Sequence, residues 1–130
     1  MFTLEQIKTA HAKVKSGADF PAYIKEIAAL GVFRYTTYVT DSHTDYFNQA
    51  GQQITSEGKY FPLIIADNSD ASQFKKDLKE HQQGKTDYLT FCKDCARSGV
   101  ERWVVEMHKM TCSYYDLSGA ELLVETIPSV

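Results

Sequence analysis

Residues 19 to 54 of this 130-residue chain recur, without a gap, at residues 87 to 122. The offset is set by Gly31 and Gly99 (99 − 31 = 68), and it also carries Asp19 to Asp87, Lys25 to Lys93, Ala28 to Ala96, Val32 to Val100, Arg34 to Arg102, Tyr46 to Tyr114 and Gly51 to Gly119. These are eight identities in 36 aligned positions, where average composition gives about two. Conservative pairs such as Phe20/Tyr88, Tyr35/Trp103 and Phe47/Tyr115 extend the match. The repeat predicts a fold of two similar units that can pack on each other.

Each unit reads as two helices followed by three strands. Thr3 with Gln6 is a capping-box signal, and Leu4, Ile7, Ala10 and Val14 recur at helical spacing up to Gly17. Asp19 opens a second helix with Pro21 in its first turn, closed by Gly31. The second unit repeats this with Asp70 and Gln73 at one helix start, Asp87 at the next, and closing glycines at Gly84 and Gly99. After each closing glycine the apolar period changes from 3.6 to 2. Phe33, Tyr35, Thr37 and Val39 then share one strand face, matched by Glu101, Trp103, Val105 and Met107, while Arg34 and Arg102 point the other way. Asn48 to Gly51 and Asp116 to Gly119 carry the signature of a type I turn with a bulge, which implies antiparallel hairpins. The expected fold is a single α+β domain over 1–130, a two-layer sandwich of an antiparallel sheet with helices on one face. Its tandem ααβββ repeats span about 3–56 and 70–127 and are related by a pseudo-twofold axis.

The composition is that of a soluble globular protein, with 43% apolar and 24% charged residues. A formal charge of −3 disfavours a nucleic-acid binder that works by neutralising phosphates, even though Tyr35, Tyr38, Tyr46, Phe47, Trp103, Tyr114 and Tyr115 crowd the strands. Neither a signal peptide nor a membrane-length apolar run is present, and three cysteines make no disulfide framework, so the expected location is the cytoplasm.

Cys92-Lys-Asp-Cys95 has redox or half-zinc-site spacing, but its counterparts are Ile24 and Ile27, so both cysteines are expected to be buried hydrophobes. The densest group of potential ligands is Asp41-Ser-His43-Thr-Asp45, which on an extended segment projects two carboxylates and an imidazole to one side. His108, in the copied hairpin, is a candidate to complete it. The copy has Lys109, Thr111 and Ser113 at the cluster positions, so the fold does not demand it, and a solvated turn is the favoured reading. Arg34 and Arg102 are candidates for gripping one anion between them, against the plainer expectation that each pairs with an acid such as Glu106 or Glu121. The run Tyr60 to Ile65 is too apolar for a free linker and should pack on the domain or a partner.

The runs Gly31 to Phe47, Ser98 to Glu106 and Thr111 to Gly119 resemble a family of short bacterial and prophage proteins, the YdfO/YbcV-like group often labelled phage envelope protein. The resemblance covers nearly the whole chain and implies an α+β fold, but brings no activity, cofactor or catalytic residue with it. The first expectation is a non-enzymatic module that binds a protein partner or small ligand, as a homodimer. The alternative is a metal-dependent or acid/base enzyme using Asp41, His43 and Asp45.

Overall fold

The computed structural model describes residues 1–15 and 17–128. Four helices, α1 (Leu4–His11), α2 (Phe20–Leu30), α3 (Ala71–Gln82) and α4 (Tyr88–Arg97), accompany six strands, β1 (Arg34–Tyr38), β2 (Thr44–Phe47), β3 (Gln53–Ser56), β4 (Val100–Glu106), β5 (Thr111–Asp116) and β6 (Glu121–Thr126). The strands form one antiparallel sheet in the order β3-β2-β1-β4-β5-β6. The two hairpin units therefore meet at β1 and β4, where Arg34 faces Glu106, Thr36 faces Val104 and Tyr38 faces Arg102.

Local chemistry accounts for most element ends. Thr3 accepts the Gln6 N–H while the Gln6 side chain accepts the Thr3 N–H, which closes the capping box of α1. Asp70 and Asp87 each accept the N–H three residues on, at α3 and α4. Gly31 stops α2 in the left-handed conformation at φ 110°. Helix α1 is shorter than its apolar spacing suggests. Lys13 and Val14 donate to Ala10 and His11, three residues back, so the helix tightens and ends before Val14. Asp19 does not cap α2, because its carboxylate accepts the Lys15 N–H instead.

One face of the sheet is the floor of the core. Tyr35, Tyr46, Val105, Cys112 and Tyr114 are buried there against Tyr23, Ile24 and Ile27 of α2, Phe74 and Leu78 of α3, and Phe91 and Cys95 of α4, with Ile7 and Ala10 of α1 in the same cluster. The second unit breaks the sequence pattern at Glu101. A bulge between Val100 and Arg102 shifts the register by one residue, so Val100 is fully buried and Glu101 stays half-exposed beside Arg102, not on the core face. Of the strand aromatics, Tyr35, Tyr46 and Tyr114 are core, with Trp103 packed against it, whereas Tyr38, Phe47 and Tyr115 occupy the opposite, open face.

Candidate functional site

The turn between β1 and β2 gathers more polar chemistry than any other place among the described residues. Ser42 takes a left-handed backbone (φ 65°) that a side chain adopts only when its surroundings hold it there. Its N–H donates to the Tyr38 carbonyl, and its buried hydroxyl lies 2.6 Å from the Tyr88 hydroxyl at the start of α4. Asp41, one residue earlier, accepts the His43 N–H at 3.0 Å and lies 2.6 Å from Nδ1 of the same residue. The imidazole is stacked on Tyr38, with centroids 4.5 Å apart and planes 10° apart. A carboxylate on Nδ1 fixes the tautomer, so Nε2 is left as the accepting nitrogen. Burial pushes the Asp41 carboxyl up, but the N–H and ring of His43 outweigh it and hold the group below its ordinary value of 3.8. Gly58 allows this placement, since a Cβ there would lie 2.8 Å from Asp41 Oδ2.

The other sequence candidates are not drawn into this group. Asp45 accepts a hydrogen bond from Thr55 across the β2–β3 pair at 2.7 Å. His108 stacks on Phe33 at 4.7 Å, at the opposite end of β1. The expectation that His108 completes the cluster is therefore corrected: β1 and β4 are antiparallel, so the copied hairpin turn lies about five strand positions, roughly 16 Å, from the first. Among the described residues no group of three or more His, Cys, Asp or Glu is placed to hold a metal. Arg34 and Arg102 sit four positions apart along the β1–β4 pair, about 13 Å, and each guanidinium lies over an aromatic of its own hairpin, Phe47 on β2 or Tyr115 on β5, so the two are not brought together.

Cys92 and Cys95 are buried like their apolar counterparts Ile24 and Ile27, and Cys112 is buried like its polar counterpart Thr44. Cys92, Cys95 and Cys112 are buried and free. Burial pushes all three thiols up, Cys112 to about 12, which favours the neutral thiol in the folded protein. His11 is an exposed residue that meets Tyr23 edge-on, and His81 is half-buried and stacks on Phe91.

The stretch joining the two units lies across this turn as a strap. Lys59 N–H donates to the Asp41 carbonyl, Tyr60 Oη to the Val39 carbonyl at 2.5 Å and Leu63 N–H to the Thr40 carbonyl at 2.6 Å, while Thr40 Oγ1 donates back to the Leu63 carbonyl. Ala66 N–H then ties the strap to the Ala96 carbonyl at the end of α4. Leu63 and Ile65 turn inward against the core, and Phe61 and Ile64 turn outward with 92% of each exposed. The apolar run signals the strap in sequence. Its contacts with Val39, Thr40, Asp41 and Ala96 carry no sequence signal, because they join positions with no shared period.

Residues 8–126 match the profile of a family described as a protein of unknown function, DUF1398, and the chain belongs to that family. No curated protein matches it.

Proposed function

We propose that this member of the DUF1398 family is a non-enzymatic interaction module that docks through Phe61 and Ile64, with a second copy of the chain as its partner. The supporting observation is a pair of large apolar side chains, each 92% exposed, on a backbone pinned from Lys59 to Ala66. Two such groups on a floppy loop would be an entropic burden, but here the ordering cost is already met by the fold, which is what an anchor residue requires. Burying the two side chains is worth about 1.5–3 kcal/mol each. Three buried thiols suit the reducing cytoplasm that we propose for such a module, and the motif resemblance supports a kinship with the YdfO/YbcV-like proteins. The matching order of elements in the two halves supports a duplicated ααβββ unit.

Sedimentation of the wild type across a concentration series should give a dimer. Ile64→Asp should raise its dissociation constant about 100-fold, since a charge then has to be buried at the contact. At concentrations low enough for both proteins to be monomeric its melting curve should match that of the wild type, because nothing in the fold touches that side chain's outer face. A wild type that remains monomeric, or a dimer indifferent to Ile64→Asp and Phe61→Ser, overturns the proposal.

A second reading rests on the Asp41–His43 pair, whose oriented imidazole could act as a general base through Nε2. Asp41→Asn tests it. The folded-state pKa of Asp41 is depressed, so its contribution to stability is present above the unfolded value near 3.8 and is lost as pH falls through the folded value. The variant should be less stable than wild type at pH 7 by about 1 kcal/mol or less, with the gap closing below about pH 4. A gap that persists at pH 2 assigns the loss to packing. Proton transfer by His43 should weaken in the same variant, and an activity that survives it removes this reading.

A further inference from the structure

The open face of the sheet carries two guanidinium groups laid over aromatic rings at repeat-related positions. Arg34 lies 3.9 Å from the centroid of Phe47, and Arg102 lies 4.8 Å from that of Tyr115. Only one of them has an acid. Arg102 Nη1 is paired with Glu101. The residue equivalent to Glu101 in the first unit is Phe33 (101 − 68 = 33), which stacks on His108 and offers no charge. The carboxylate that the β1–β4 register sets beside Arg34, that of Glu106, is held 3.2 Å from Lys109 Nζ. Among the described residues no acceptor takes any N–H of Arg34, although the side chain is half-buried.

That asymmetry has a chemical consequence. A guanidinium presents five donors in a planar fork matched to the oxygens of a carboxylate or phosphate. Contact with the Phe47 ring, 3.9 Å away, holds the Arg34 guanidinium against the sheet, so part of the ordering cost is met before a ligand arrives. Lys109 and His108, on the turn after β4, add positive charge or donor capacity at this end of the sheet, and Glu106 partly offsets it. At the other end, the carboxylate of Glu101 already occupies the equivalent fork.

We propose that Arg34 anchors an oxyanion site, in which a carboxylate or phosphate group binds edge-on to the guanidinium held over Phe47. The site is on the open sheet face and is independent of the Phe61–Ile64 surface, so either proposal can fail without the other.

The test is an NMR titration of the full chain with nitrogen-labelled arginine, using inorganic phosphate in one arm and acetate in the other at constant ionic strength. The Nε–Hε signal of Arg34 should shift saturably while that of Arg102 stays in place. Arg34→Gln should weaken binding about tenfold or more, as loss of a charge-assisted pair of hydrogen bonds implies. Glu101→Gln should free Arg102 and create a second saturable site. Saturation by phosphate alone assigns a phosphorylated ligand, and saturation by acetate alone a carboxylate. No saturable shift in either arm, or equal affinity in Arg34→Gln with the backbone spectrum intact, overturns the proposal.

Discussion

Gly99→Ala is expected to destabilise the protein by about 3 kcal/mol or more, whereas Gly84→Ala costs about 1 kcal/mol. The two glycines have nearly the same backbone, φ 81° and 79°, so the left-handed penalty is common to both. They differ in what a new methyl group meets. At Gly99 it would lie 2.8 Å from Ser69 Cα, 3.0 Å from the Asn68 carbonyl oxygen and 3.1 Å from Ser69 N. All three are backbone atoms, and the Asp70 N–H bonded to the Ser98 carbonyl holds the two segments together, so they cannot swing aside as a side chain would. At Gly84 nothing lies within 4 Å. Urea unfolding of the two variants measures the difference directly, and equal losses would show that the close approach of residues 68–69 to the end of α4 contributes nothing. The same contact fixes the far end of the strap. Gly99→Ala should therefore also loosen Phe61 and Ile64 and weaken docking, even at urea concentrations where the fold survives.

The fold was largely legible in the sequence because its determinants are local or periodic. Caps at Thr3, Asp70 and Asp87, turn residues at Gly51 and Gly119, and the alternation through Tyr35 are each decided within a few residues. Even the non-glycine left-handed residues, Ser42 and Met110, are 68 residues apart, as are Gly31 and Gly99 and Gly51 and Gly119. What escaped depends on one-residue irregularities or on distance across the sheet. Alternation alone cannot reveal the bulge at Glu101, which turns an expected core residue outward. His108 looked close to His43 because repeat equivalence was read as proximity, whereas the antiparallel join at β1 and β4 sends equivalent turns to opposite ends. The candidate site was half legible: alternate polar residues announced Asp41 and His43, but the stacking on Tyr38, the Ser42–Tyr88 bond and the room left by Gly58 are tertiary facts. The missing acid at Arg34 could have been found by aligning the repeats, since Phe33 stands where the copy has Glu101.

Phe74→Ala should cost about 3–5 kcal/mol, and a melting temperature lower by about 10–20 °C, while Phe61→Ala should stay within about 0.5 kcal/mol of wild type. The same atoms are deleted in both, so the contrast isolates burial. Phe74 is fully buried, 4.8 Å from the Tyr114 ring and 6.4 Å from that of Phe91, so it joins α3 to both β5 and α4. The matching helix caps, Thr3 with Gln6 and Asp70 with Gln73, give Phe74 the place in α3 that Ile7 has in α1, and Ile7 is buried as well but brings no ring. Given a total stability of about 5–15 kcal/mol for a domain of this kind, the loss is about a fifth of the whole at the least. Thermal melts of the two variants side by side decide the matter. A Phe74→Ala protein as stable as Phe61→Ala would mean that the ring cluster around Tyr114 is not what holds α3 on the sheet. The opposite result leaves Phe61 as a phenylalanine with no structural duty in the fold.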